Sequence, residues 1–336
     1  MDVVREAEPL SSLSLSALPL GASRLGGVPD LPAGTEWPSH AGVPLTFLLQ
    51  VRLEDAHAAM AGARRADGRP FPPLPAELPR RGWLVYFHLL CDNEVFKPLR
   101  SADADWWGKG RHAGQLLWWD DATASASQLQ RTRHPADGAL RPEELAEFGT
   151  GLAPYRVRLV PALTLPDLDE RWRLPLSEAQ RNAVVALQES AEQEGGVMSL
   201  EPHAAWRERI AGGTMRLCGW PLERGGSPLC DEAEAGADAT GGALAATTTD
   251  AAARDATASE VAAAAARRSQ LVVQVASDSG VAAWWHSPGR RQRDVTERPV
   301  QRDAFVVGEY GTIWAAMTRT QLAARRFDEA STLFAR

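Results

Sequence analysis

The chain has 336 residues, room for one large domain or two ordinary ones, and its 44% hydrophobic and 24% charged residues are those of a globular protein. A net charge of −7 without any dense Lys/Arg run argues against a nucleic-acid partner, and no window approaches the roughly 20 apolar residues of a membrane span. Cys91, Cys218 and Cys230 make neither a C-x-x-C pair nor an even framework, which fits a reducing, cytoplasmic setting.

The start of the chain carries Asp2, Arg5, Glu6 and Glu8 ahead of a Ser-interrupted stretch from Leu10 to Leu20. A secretory signal needs a basic start and an unbroken apolar centre, so none is expected. From Gly21 to Pro38 glycines and prolines alternate, which specifies a chain path rather than a random loop. Successive amides at Gly26 and Gly27 beside Arg24 have the makings of an anion nest, while the structural alternative is a tight turn with Trp37 packed as a plug. Leu45, Phe47, Leu49 and Val51 share one parity and predict a strand with one strongly apolar face, leaving Thr46, Leu48 and Gln50 on the other.

A short helix is expected from Leu53 to Met60, and a two-sided central strand from Trp83 to Leu90. Three doublets follow along the chain: Trp106-Trp107, Trp118-Trp119 and Trp284-Trp285. Adjacent strand side chains face opposite ways, so either both faces are covered or one Trp of each pair reaches solvent as an interface candidate. Pro142 to Phe148 reads as a short helix. Tyr155, Val157 and Leu159 alternate with Arg156 and Arg158 as a half-buried strand with a cationic outer face. Helices from Ser177 to Glu194 and from Pro202 to Ile210 form a connector over residues 177–212. Residues 231–268, rich in Ala, Thr and Asp, read as a flexible insertion, and residues 287–303 as an Arg-rich loop insertion. A last short helix is expected from Gln321 to Arg326.

The second half echoes the first. RLGGVP (Arg24 to Pro29) returns as RLCGWP (Arg216 to Pro221), LLQV (Leu48 to Val51) as VVQV (Val272 to Val275), and GWLVYF (Gly82 to Phe87) as GTIWAA (Gly311 to Ala316). The shared order points to an internal duplication. The expected fold is therefore α+β: one domain over residues 20–336, made of two related, mainly antiparallel β-rich lobes near 20–160 and 200–336, with peripheral helices.

GASRLGGVPDLPAGTEWP, PLTFLLQVRLED, RLCGWP, QLVVQVASDSG and GEYGTIWAAMTRTQLAARRFDEA together resemble the YwqG-like family, a bacterial domain of unknown function. The resemblance implies a compact α+β protein of internally related halves, and no secure activity. Gln274, Ser277, Asp278, Gly308, Glu309 and Gly311 occupy the places of the family's C-terminal pattern, whereas Val307 stands where a Trp is usual.

Standard catalytic signatures are missing: no H-E-x-x-H, no phosphate-binding G-x-x-x-x-G-K-S/T and no G-x-S-x-G, and the seven histidines are scattered. No metal or cofactor is expected, and enzymatic activity is disfavoured. Gln50 and Gln274 sit at echo-equivalent places on apolar strands, where a buried amide must find partners. They either tie down neighbouring backbone or line a polar cleft between the lobes with Asp278 and Glu309. The first expectation is a non-enzymatic protein-binding module, with an immunity-type inhibitor of a toxin as one form that the resemblance suggests. The alternative is a small-molecule binder or enzyme using the cleft.

Overall fold

A strand that is apolar on both faces must be covered on both, and this requirement organises the molecule around one large sheet. The computed structural model describes residues 1–5, 10–40, 43–65, 67–89, 114–120, 125–135, 152, 154–164, 178–179, 182–183, 185–186, 215–219, 269–276 and 312–335. In chain order the strands are β1 (Asp2–Arg5), β2 (Arg24–Leu25), β3 (Asp30–Pro32), β4 (Ser39–His40), β5 (Val43–Pro44), β6 (Thr46–Arg52) and β7 (Trp83–His88). They continue with β8 (Gly114–Trp119), β9 (Leu129–Arg131), β10 (Tyr155–Val160), β11 (Arg216–Leu217), β12 (Ser269–Ala276), β13 (Thr312–Thr318) and β14 (Ser331–Ala335). The α-helices whose full extent lies among the described residues are α1 (Ser12–Ala17), α2 (Leu53–Met60) and α3 (Arg319–Ala323), and residues 178–179, 182–183 and 185–186 are also helical.

Ten strands form one antiparallel sheet in the order β14-β13-β12-β11-β1-β10-β2-β6-β7-β8, and β3-β9 and β4-β5 make two small ribbons. The fold is thus β-rich α+β, mostly antiparallel with few helices. Read outward from the β1–β10 pair, each side runs through an Arg-Leu strand, a Gln-bearing strand, an aromatic strand and a closing strand. Arg24 faces Gln50 across β2 and β6, and Arg216 faces Gln274 across β11 and β12.

β6 and β12 both carry a register shift, between Phe47 and Leu49 and between Leu271 and Val273. The intervening carbonyls accept matching bonds, Gly26 N–H to Leu48 O at 2.8 Å and Cys218 N–H to Val272 O at 2.9 Å. This bulge corrects the single-faced reading of Leu45, Phe47, Leu49 and Val51. An extra residue resets the alternation, so Leu45 and Phe47 join one apolar cluster while Leu49 and Val51 join the other.

The sheet curls until its ends meet. The Gly114 amide at the start of β8 donates to Thr332 Oγ1 on β14 at 2.9 Å, and the Tyr86 hydroxyl on β7 donates to the Trp314 carbonyl on β13 at 2.9 Å. The enclosed face holds the larger core, drawn from both halves: Leu25, Val51, Leu84 and Tyr86 pack with Leu217, Val275, Ile313 and Met317. The smaller core, with Phe47, Trp83, Val85, Phe87 and Trp119, lies on the opposite face under the Gly-Pro loop. Each such side chain contributes about 1.5–3 kcal/mol on burial.

Two elements depart from the sequence reading. β1 lies at the centre of the sheet, although its four residues fall outside the expected 20–336 span. The last helix starts at Arg319, two residues early, because Thr318 caps it: its hydroxyl accepts from Gln321 N–H and the Gln321 side chain accepts from Thr318 N–H.

Candidate functional site

Buried Arg24 is the centre of the best-defined polar cluster. The pairing of β2 with β6 and β10 places its side chain inside the fold, with no solvent exposure, where burial lowers the guanidinium pKa and the Asp30 hydrogen bond opposes that shift. Arg24 Nη1 donates to Asp30 Oδ2 at 2.7 Å and its Nε donates to Val28 O at 2.8 Å. Asp30, equally buried, also accepts from Gly21 N–H at 2.7 Å and faces Arg131 Nε at 3.3 Å. Arg131 in turn donates to the carbonyls of Leu15 and Leu18, at the end of α1.

Gln50 completes the cluster. Its Oε1 accepts from Asp30 N–H at 2.9 Å and its Nε2 donates to Ala22 O at 3.0 Å. The amide therefore fastens the Gly-Pro loop to the sheet. Gly26 and Gly27 take left-handed φ values of 64° and 72°, as their loop demands, but their amides donate to Leu48 O and Leu152 O. Neither amide is left for an anion, and the Arg24 charge is met by Asp30. Trp37 packs edge-on against Phe87 and His134, and its Nε1 donates to Leu45 O at 2.8 Å, which is the geometry of a plug. Asp30 and Arg131 escaped the sequence reading. The available signal was Arg24 itself, because an arginine on an apolar strand calls for a nearby carboxylate.

The second half repeats the buried Arg and Gln with different partners. Arg216 Nε lies 3.5 Å from Asp2 Oδ1, and Gln274 Oε1 accepts from Trp314 Nε1 at 3.2 Å. Burial raises the Asp2 pKa against the pull of Arg216, and lowers that of Arg216. Cys218 occupies the place of Gly26 with a left-handed φ of 57°, and burial pushes its thiol up to about 12. The structure thus joins Arg24 with Gln50 and Arg216 with Gln274. Asp278, Glu309, Trp106, Trp107, Trp284 and Trp285 lie outside the described residues, as do the two insertions.

The doublet that is described splits across the sheet, as strand alternation requires. Trp119 is buried in the smaller core. Trp118, half-buried, stacks on Phe327 at 5.7 Å and 29°, and the exposed Arg325 guanidinium sits 4.8 Å over its ring. Its Nε1 donates to Arg81 O at 3.3 Å, so an aromatic group flanked by exposed Arg81 and Arg325 marks this end of the sheet.

Among the described residues no group of three or more His, Cys, Asp or Glu side chains is placed to hold a metal ion, and no helix is long and apolar enough to cross a membrane. The fold and its polar clusters define a β-rich α+β protein in which each half of the sheet is pinned by a buried Arg and a buried Gln. Residues 23–333 match the family described as Domain of unknown function (DUF1963), and the chain belongs to that family. A comparison with curated proteins returns no match.

Proposed function

We propose that this is a YwqG-like, cytoplasmic protein of two lobes derived by internal duplication, and that it works as a non-enzymatic protein-binding module. The observation that carries the binding reading is the Trp118–Arg325 pair: a half-buried indole under an exposed guanidinium, with Arg81 beside it. Aromatic and arginine groups of this kind supply most of the energy in protein interfaces. The engagement of Gln50 with loop backbone, and of Gln274 with an indole, weighs against a ligand cleft built on these amides. An immunity-type inhibitor of a toxin is one form of this function, and the acidic net charge of −7 suits a basic target.

Native mass spectrometry of the protein taken gently from its own cell extract is the test. The expected result is a defined protein adduct that Arg325→Ala weakens at a melting temperature near that of the parent, and that Trp118→Ala, which also removes packing on Phe327, weakens in a protein that still folds. A small-molecule adduct in its place, or an adduct indifferent to both substitutions, would overturn the reading.

The matched strand order, Arg–Gln pairings, register shifts and left-handed Gly26 and Cys218 support the duplication. If the lobes are equivalent, Cys218→Gly is accepted with a melting temperature near that of the parent. A Cys218→Gly protein that fails to fold would count against the equivalence.

A further inference from the structure

Each half, read in chain order, has a leading strand, an Arg-Leu strand, a Gln strand, an aromatic strand and a closing strand: β1-β2-β6-β7-β8 and then β10-β11-β12-β13-β14. The leading strands do not stay at home. β1 pairs with β11 of the second half, and β10 pairs with β2 of the first. The two also pair with each other, Val3 opposite Leu159, at the middle of the sheet.

We infer that the halves are interlocked by reciprocal exchange of their leading strands, and that Asp2 is the charged key that seats β1 in the second half. The inference rests on the two-lobe reading above and adds the exchange to it. In the first half the buried arginine finds its carboxylate six residues on, Arg24 with Asp30, within its own Gly-Pro loop. The echo of that position, the residue after Pro221, is Leu222 and carries no charge. Among the described residues, the carboxylate placed against Arg216 comes instead from β1: Asp2, 4% exposed, stands opposite Arg216 in the register with its Oδ1 3.5 Å from Nε.

Backbone bonds seat the strand on both sides of that pair. Val3 N–H donates to Met215 O at 2.9 Å, and Leu217 N–H donates to Met1 O at 2.9 Å. A strand of the first half therefore supplies the second half with a ladder edge and with a countercharge for its buried guanidinium.

Native-state hydrogen exchange on the full chain tests the exchange. Val3→Pro deletes the donor to Met215 and leaves the opposite edge of β1 facing β10. It should speed amide exchange at Leu217, Val273 and Val275 at least ~10-fold more than at Leu25, Leu49 and Val51. Asp2→Ala should give the same order of effects without touching the backbone, and Arg216→Met added to it should restore part of the protection, since the buried guanidinium that lost this carboxylate is then gone. Equal acceleration in both halves, or a larger effect at Leu25, Leu49 and Val51, would overturn the inference. If Val3→Pro does not fold, the Asp2→Ala pattern decides by the same criterion. A failed Cys218→Gly bears only on the likeness of the lobes, because the Asp2 and Val3 variants keep Cys218.

Discussion

Replacing Asp30 by Ala perturbs a carboxylate that serves Arg24, Arg131 and the Gly21 amide at once. The substitution leaves Arg24 buried without its 2.7 Å partner and strips the Gly21 amide of its acceptor. Stranding one member of a buried pair costs about 3–5 kcal/mol, and an orphaned amide roughly 1–3 kcal/mol. One carboxylate serves both groups, so the losses overlap and a total of about 4 kcal/mol is expected, a large part of the roughly 5–15 kcal/mol that holds a domain folded. With a urea slope near 3 kcal/mol/M the unfolding midpoint falls by about 1.3 M. Tryptophan fluorescence follows this directly, because Trp83 Nε1 donates to Gly21 O at 2.9 Å beside the lesion. Adding Arg24→Met to Asp30→Ala should recover part of the loss. A shift below about 0.3 M, the scale of an exposed ion pair, would refute the claim that this cluster pins the loop.

Other consequences are separable. Gly82 has a φ of 98°, and an added Cβ would lie 2.1 Å from Trp119 O, whereas one at Gly34, φ 81°, would meet nothing within 4 Å. Gly82→Ala should therefore cost about 3 kcal/mol or more by chemical denaturation and Gly34→Ala only about 1 kcal/mol; equal costs would show that the contact relaxes. His88 is buried beside Leu89 O, the Tyr86 ring and the Gly114 backbone, with His40 adding a repelling charge, and burial lowers its pKa from 6.5 to about 4. The folded protein then binds this proton less readily than the unfolded chain, so the contribution is complete above pH 6.5 and falls by about 3 kcal/mol as pH drops from 6.5 to 4. A His88→Leu variant should flatten that part of the pH–stability curve, and an unchanged slope would remove His88 as its source. The Cys218 thiol, buried and pushed up to about 12, should resist alkylation in the native protein and react after denaturation, as peptide mapping would show.

Strand positions were legible wherever apolar periodicity was strong: the Trp83–His88 and Tyr155–Val160 strands and the Leu53–Met60 helix lie where the pattern puts them. The alternation rule also anticipated that Trp118 and Trp119 part to opposite faces. It failed at Leu48, because a bulge adds a residue without changing the composition that signals a strand. β1 was invisible for a different reason: Asp2-Val3-Val4-Arg5 is too short to show a period, and its charged ends look solvated until Arg216 is known to face it. Asp30 was overlooked because a carboxylate after proline reads as a turn residue, and only the burial of Arg24 reveals its partner.

The joining of the sheet's ends bears on how the chain reaches this structure. The bonds from Gly114 to Thr332 and from Tyr86 to Trp314 span 218 and 228 residues. Bringing such distant points together costs loop-closure entropy before any contact rewards it, so these bonds are expected to form late in folding. During synthesis β6, β7 and β8 emerge well before Trp314 on β13 and the later Phe327 exist to cover Tyr86 and Trp118. Over that interval the nascent first half presents apolar surface to its surroundings, and its exposure to aggregation is set by the time translation needs to deliver the last two strands.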